Sequence, residues 1–294
     1  MRDTTLLRAW VLALLIQTLG VQVFTALNFF VPDVPPFFWM ANFVGGFAFG
    51  IGMVMAGGCA SGTCYRVGEG LVGSLIAFIG FGLAAVATDH GALQFLQNGL
   101  RSEVILIDSA PAQLTNLLSL DDWVILIVIA LPSVWWLLKA KFRPTLQGWS
   151  WFKTGTFLGF IALAAWLSSS AAGRAYGISI NGPIRSIFEY ITTGKSEFLD
   201  WGSFLILGLI LGAFVASRLY SEAKLRIPSA ARTLQALGGG MFMGFGAQVA
   251  GGCTLGHAFT GLSVLAMSSI TTTLSIVTGA WLISFFLFMD GKNK

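Results

Sequence analysis

The sequence predicts an all-α integral membrane protein, a helical bundle built as an inverted repeat. Three observations predict it: the composition, a series of apolar segments of membrane-spanning length, and two similar glycine-rich copies within one chain. Of 294 residues, 55% are apolar and only 10% are charged, with a mean hydropathy of +0.79. A soluble domain carries roughly a quarter charged residues, so lipid is the solvent that suits these side chains. The composition excludes a secreted disulfide scaffold, a disordered chain and a nucleic-acid-binding module. Glycine is high, 36 residues, and in membrane helices glycine marks close helix contact or a break in the chain. The cysteines are Cys59, Cys64 and Cys253, an odd and low count that makes no disulfide framework.

A bilayer core needs about 20 apolar residues as helix. Stretches 6–30, 39–56, 70–88, 123–138, 156–172, 203–217, 234–250 and 262–289 qualify, with a bend expected at Pro132. The first is too long and too uniformly apolar for a cleaved signal peptide. One polytopic domain over 1–294 is expected, with inverted halves of roughly 1–120 and 154–294 joined by 121–153.

Loop charge sets orientation. Lys139, Lys141, Arg143 and Lys153 form one basic loop, and Arg218, Lys224, Arg226 and Arg232 another. Both read as cytoplasmic. The 89–122 stretch holds Asp89, Glu103, Asp108, Asp121 and Asp122 against Arg101 alone, and reads as outside. The 31–38 turn, with Asp33, three prolines and no base, suits the outside too. Trp135 and Trp136 near a helix end fit an interfacial anchor.

Shifting the chain by 194 positions aligns residues 45–62 with 239–256. Nine of these 18 pairs are identical, among them the four of Ala56-Gly57-Gly58-Cys59 with Ala250-Gly251-Gly252-Cys253. Copy one starts from an outer turn and copy two from an inner loop, so the copies are inverted about an axis in the membrane plane. Many transporters have this architecture, with the site near the midplane where half-helices end.

Gly57-Gly58-Cys59-Ala60-Ser61-Gly62-Thr63 and Gly251-Gly252-Cys253-Thr254-Leu255-Gly256-His257 cannot continue a stable helix. Broken backbone at membrane depth is tolerated only where protein buries it or it lines a cavity. Glycine lets backbone N–H groups face a ligand, and a helix starting after the break adds its positive end. Two such re-entrant loops build an anion-friendly constriction with a thiol in each. Single buried cysteines usually act as small hydrophobes; two at equivalent positions, each after Gly-Gly, point to function. Arg66 is placed at the entrance, with Glu69 as its partner. A structural ion pair is the competing reading. Arg174, Tyr176, Asn181 and Arg185 form a further polar stretch, read as re-entrant or as an outer loop. His257 follows Cys253 by four residues, but these spacings match no usual zinc pattern, so no metal or cofactor is expected. His90 reads as a loop residue.

Residues 56–70, Ala-Gly-Gly-Cys-Ala-Ser-Gly-Thr-x-Tyr-Arg-x-Gly-Glu-Gly, resemble the signature of the YeeE/YedE sulfur-transport family. Gly244-Phe245-Gly246 with Ala250-Gly251-Gly252-Cys253 resembles its second-half signature, and Tyr176-Gly177-Ile178 and Trp201-Gly202 resemble further landmarks. The resemblance implies uptake of thiosulfate, or a similar small sulfur anion, across the inner membrane by an hourglass-shaped protein. It implies that cysteines, here Cys59, Cys253 and Cys64, pass the substrate along, with no catalytic residue and no nucleic acid involved. It also implies a TusA-like sulfur-carrier protein as cytoplasmic partner. Family members usually begin with a Gly-Arg-x-Cys segment just before an Arg-Asp, whereas this chain opens Met1-Arg2-Asp3. The chain is then shortened, its start is misassigned, or a separate N-terminal element supplies the piece. Cys64 is either incidental or a local substitute for that segment's thiol.

Three functions compete on these residues. A sulfur-anion transporter, including one for selenium compounds, uses paired thiols and anion-friendly breaks. A membrane sulfurtransferase or thiol oxidoreductase needs a base or redox partner beside each thiol, and His257 is the single candidate. A pore for neutral solutes gains nothing from the thiols.

Overall fold

The computed structural model describes residues 4–107, 110–139, 148–223 and 225–288. Lys141, Arg143, Asp108, Lys224 and the opening Met1-Arg2-Asp3 lie outside the described residues. The helices are α1 (Thr5–Ala26), α2 (Trp39–Met55), α3 (Ala60–Gly68), α4 (Val72–Asp89), α5 (Gln94–Leu100), α6 (Leu114–Leu118), α7 (Asp122–Leu138), α8 (Trp151–Ala171), α9 (Asn181–Thr193), α10 (Trp201–Leu219), α11 (Ala230–Ala250) and α12 (Met267–Phe288). Between α5 and α6 lies a small antiparallel pair, β1 (Leu106–Ile107) and β2 (Ala110–Pro111). The protein is therefore an all-α, multi-pass membrane protein, with six helices long and apolar enough to cross a bilayer among the described residues.

Seven of the eight apolar stretches are helical over most of their length, and the eighth, 262–289, becomes α12 only from Met267, after a turn at Val264–Ala266. The first ends at Ala26 rather than 30, because the chain turns at Asn28 with φ +57°. The fourth, α7, carries Pro132 inside an unbroken helix. The 89–122 stretch forms α5, the β pair and α6.

The chain forms two compact units, each drawing on both sequence halves. The first comprises Met1–Pro35, Leu106–Ile178 and Phe259–Met267. Here α1 packs on α8 through small residues: Gly155 backs onto Ala9 and Leu12, and Gly159 onto Ile16. Small residues let helix backbones approach, the main source of attraction where lipid is as apolar as leucine. Its core is Val21, Phe30, Trp166, Val264 and Ala266, with the Phe30 and Trp166 rings stacked at 5.3 Å. Buried Gln17 donates to Ser263 Oγ at 3.2 Å. Lys139 Nζ lies 3.5 Å from the Trp135 ring centre and Arg8 covers the Trp136 ring, so both tryptophans carry a cation on one face.

The second unit comprises Pro36–Ile105, Ser179–Ala258 and Ser268–Lys294. Its centre is α11, packed on α2 and α4 along a glycine seam. A Cβ at Gly45 would stand 2.6 Å from Gly246 O and 2.5 Å from Ala250 N, while one at Gly239 would stand 2.8 Å from Gly52 O and 2.5 Å from Ala56 N. The 194-residue offset exchanges these two sets of contacts, so the equivalent helices run antiparallel. Asn42 pins the seam by donating to Ala250 O at 2.9 Å and to Thr272 Oγ1 at 3.0 Å. The core holds Phe49, Phe81, Ile180, Ile184, Ile206 and Met243, with Cys64 and Cys253 among them.

Candidate functional site at the Gly-Gly-Cys breaks

Helix α2 ends as the sequence dictates. Gly57 adopts φ +76°, a conformation that costs glycine little, and the Gly58 N–H returns to Met53 O at 2.9 Å. Cys59 then caps the next helix, α3. Its carbonyl accepts from the Thr63 N–H at 2.8 Å and from Thr63 Oγ1 at 3.1 Å. Its sulfur is 3.2 Å from Ser61 Oγ, and a Cβ at Gly62 would stand 3.6 Å from that sulfur. Gly62 thus leaves one side of the thiol open. Cys59 is half-buried.

The second copy repeats the design. Helix α11 ends at Gly251, φ +87°, and a helical segment containing the π-turn Gly256–Gly261 starts after Cys253. The backbone N–H groups of Gly256, Ile180 and Leu255 face the Cys253 sulfur. Ile180 is the N-cap of α9, so two helix starts converge on this thiol. Such ends present unsatisfied N–H groups and partial positive charge. His257, 1% exposed, holds Ser269 Oγ at 3.0 Å through Nδ1.

Cys64 is fully buried and lies within electrostatic reach of both Cys59 and Cys253. The structure therefore brings all three thiols into one neighbourhood, together with Gly57, Gly58, Gly62, Thr63, Gly251, Gly252, Gly256 and His257. Arg66 departs from the expected pairing. Among the described residues it makes no ion pair with Glu69; its Nη1 donates to Gly57 O. The guanidinium thereby satisfies a carbonyl left without a helical partner past the end of α2. Glu69 ends α3 as its C-cap.

The polar stretch after α8 divides. Arg174 folds onto its own turn, donating to Ser169 Oγ and to Tyr176 O, each at 3.0 Å, and to Gly177 O at 2.9 Å. Asn181 instead belongs to α9 and donates to Gln248 Oε1 at 2.7 Å. Arg185, also on α9, contacts Asp89 Oδ2 at 2.7 Å and Glu189 Oε1 at 3.5 Å. His90, in the turn after α4 as expected of a loop residue, brings its Nε2 to the same two carboxylates at 3.0 and 3.1 Å and so also bridges α4 to α9.

Arg101 was missed as a site residue. Its Nη2 donates to Gln248 O at 2.6 Å and its Nε to Val249 O at 3.0 Å, closing the end of α11. Burial pushes its guanidinium below the ordinary value, with Asp89 raising it and Arg185 lowering it. The one available signal was its isolation, a lone base in an acidic stretch.

The match that decides kinship covers residues 1–282 and is to the family described as sulphur transport. The chain belongs to the sulphur-transport family. A thiosulfate transporter, TsuA, of Spirochaeta thermophila is 32% identical over 98% of this chain and 89% of its own length. The thiosulfate transporter TsuA of Escherichia coli is 28% identical over all of this chain and 87% of its own. A probable transporter, YedE, of Salmonella typhimurium is 38% identical over 26% of this chain and 20% of its own. Membership agrees with the signatures at both breaks.

Proposed function

We propose that this protein takes up thiosulfate, or a closely related sulfur oxyanion, across the cytoplasmic membrane, passing it along Cys59, Cys64 and Cys253. The supporting observation is the grouping of three thiols, two of them at helix starts, with three backbone N–H groups facing one of those two. Full-length similarity to two proteins named thiosulfate transporters supports the same substrate.

The physics favours this use. A dianion entering hydrocarbon without partners faces a desolvation cost of tens of kcal/mol. Backbone N–H groups at helix starts replace part of its water. A neutral thiol adds a weak donor without adding charge, and several weak sites in series let an ion enter and leave. An enzyme keeping the sulfur needs a base at the thiol; the two full-length relatives are named as transporters instead.

The two breaks are re-entrant in this reading, entered from opposite faces, with the basic loops inside. A TusA-like carrier receives the sulfur on the cytoplasmic side. Uptake of sulfur-35-labelled thiosulfate into proteoliposomes tests the proposal. Accumulation above empty liposomes, competed by unlabelled thiosulfate, is the expected result; none above background overturns it.

A further inference from the structure

Both long helices of the glycine seam end in Ala-Gly-Gly-Cys, and each end carries a guanidinium. On α2 it is Arg66, bonded to Gly57 O. On α11 it is Arg101, bonded to Gln248 O and Val249 O. The two guanidiniums lie against equivalent glycines. A Cβ at Gly57 would stand 3.8 Å from Arg66 Nη1, and one at Gly251 would stand 3.2 Å from Arg101 Nη2. Gly57 and Gly251 are 194 positions apart, the repeat offset.

The repeat itself does not supply this match. The position equivalent to Arg66 is Thr260, whose hydroxyl donates to Ile178 O at 2.7 Å. The second cation comes from the end of α5, which has no part in the glycine-rich copies. Two unrelated chain positions thus deliver the same group to the same place. A neutral donor also satisfies a helix-end carbonyl, as asparagine or serine does elsewhere, so hydrogen bonding alone does not call for arginine twice.

Charge does. A helix C-terminus carries about half a negative charge, which repels an approaching dianion. A guanidinium, charged throughout the accessible pH range, cancels that and leaves a net positive field at the mouth of each break. The geometry points to Arg101 as the functional counterpart of Arg66: the two form a matched pair of anion-attracting groups, one at each Gly-Gly-Cys break, that set the preference for doubly charged oxyanions. This rests on the transport reading above. Asp89 and Arg185 are the other charged groups that act on Arg101, with the Phe38 ring 5.7 Å away. The two charges oppose one another, so the guanidinium's own charge dominates the mouth.

The test compares Arg101→Gln, which keeps a donor and loses the charge, with Arg101→Lys, which keeps both. Thiosulfate uptake into proteoliposomes is measured against substrate concentration and ionic strength. Arg101→Gln should raise KM about tenfold, the effect of ~1.4 kcal/mol, with kcat within about twofold. It should also flatten the salt dependence, since screening acts on the lost attraction. Arg101→Lys should recover most of the KM. Binding gives a readout independent of transport: sodium thiosulfate titrated into the detergent-solubilised protein, followed by tryptophan fluorescence, should show the same tenfold difference in Kd. An unchanged KM and Kd in Arg101→Gln, or equal losses in both variants with lowered melting temperature, would overturn the inference and leave Arg101 a structural cap. A wild-type protein that takes up no thiosulfate would instead sink the proposed function.

Discussion

Gly252 lies against the imidazole of His257: a Cβ built there would stand 2.9 Å from both Nε2 and Cδ2. The ring has little freedom to yield, because Nδ1 is held by Ser269 at 3.0 Å and the side chain is buried. The second glycine of this Gly-Gly-Cys is therefore a matter of space, whereas Gly251 before it is a matter of backbone conformation. Gly252→Ala should destabilise the protein by about 1–3 kcal/mol, as overpacking does. Combining it with His257→Ala removes the obstacle. Thermal unfolding in detergent should show the double variant more stable than Gly252→Ala with His257 intact; equal or worse stability refutes the steric account.

Thiol substitutions should separate by position. Cys59→Ala and Cys253→Ala are each expected to abolish or sharply reduce uptake at normal expression. Serine keeps the size and a donor but is more strongly solvated, so Cys→Ser at either position should recover it in part at best. Cys64 lies outside the repeat-matched pair, which alone predicts a mild effect. Its complete burial within reach of the other two thiols raises the expected loss to an intermediate one. Unchanged uptake in the Cys59→Ala, Cys253→Ala double variant would return these residues to simple packing.

Orientation is open to labelling on a cysteine-free background. A cysteine introduced at Ser221, in the basic loop, should react with a membrane-impermeant maleimide only from the inside. One at Ser102, in the acidic stretch, should react only from the outside. Reaction of both from one face would end the inverted arrangement.

The Asp89, His90, Arg185, Glu189 cluster makes a prediction about stability. Glu189 has a side chain only 4% exposed and depends on Arg185 and His90 for compensation. Arg185→Ala leaves two carboxylates facing each other and should cost about 1–3 kcal/mol. Glu189→Gln, which removes one of those charges, should restore much of the loss in the double variant. A melting temperature unmoved by Arg185→Ala would show the cluster to be idle.

Much of this was legible in the chain itself. Runs of about 20 apolar residues have one stable form in lipid, so each predicted stretch contains a helix, although 262–289 opens with a turn before Met267. Gly57-Gly58 and Gly251-Gly252 announce breaks because glycine gains least from a helix. Cys59 and Cys253 stand out through the repeat. What escaped reading depends on contacts far apart in sequence. Arg101 acts on carbonyls nearly 150 positions away, and no periodicity records such a reach. Cys64, on the short helix α3, gives no local sign that its face is wholly covered. Arg66 has Glu69 three residues along at good helical spacing, and proximity suggested a pair; the unsatisfied Gly57 carbonyl prevailed.

The exchange of contacts along the glycine seam has a consequence for ancestry. Gly45 meets Ala250 while Gly239 meets Ala56, so each partner presents the same patch to the other. That is the rule of a two-fold, self-complementary dimer interface, met here inside one polypeptide. A half-length chain bearing one copy already holds the surface needed to pair with an oppositely inserted twin. Fusion of two such genes would fix that pairing at one-to-one stoichiometry and free each copy to diverge. The arginine carried by one copy within its own short helix, and brought to the other by a separate segment, is the kind of asymmetry such divergence leaves.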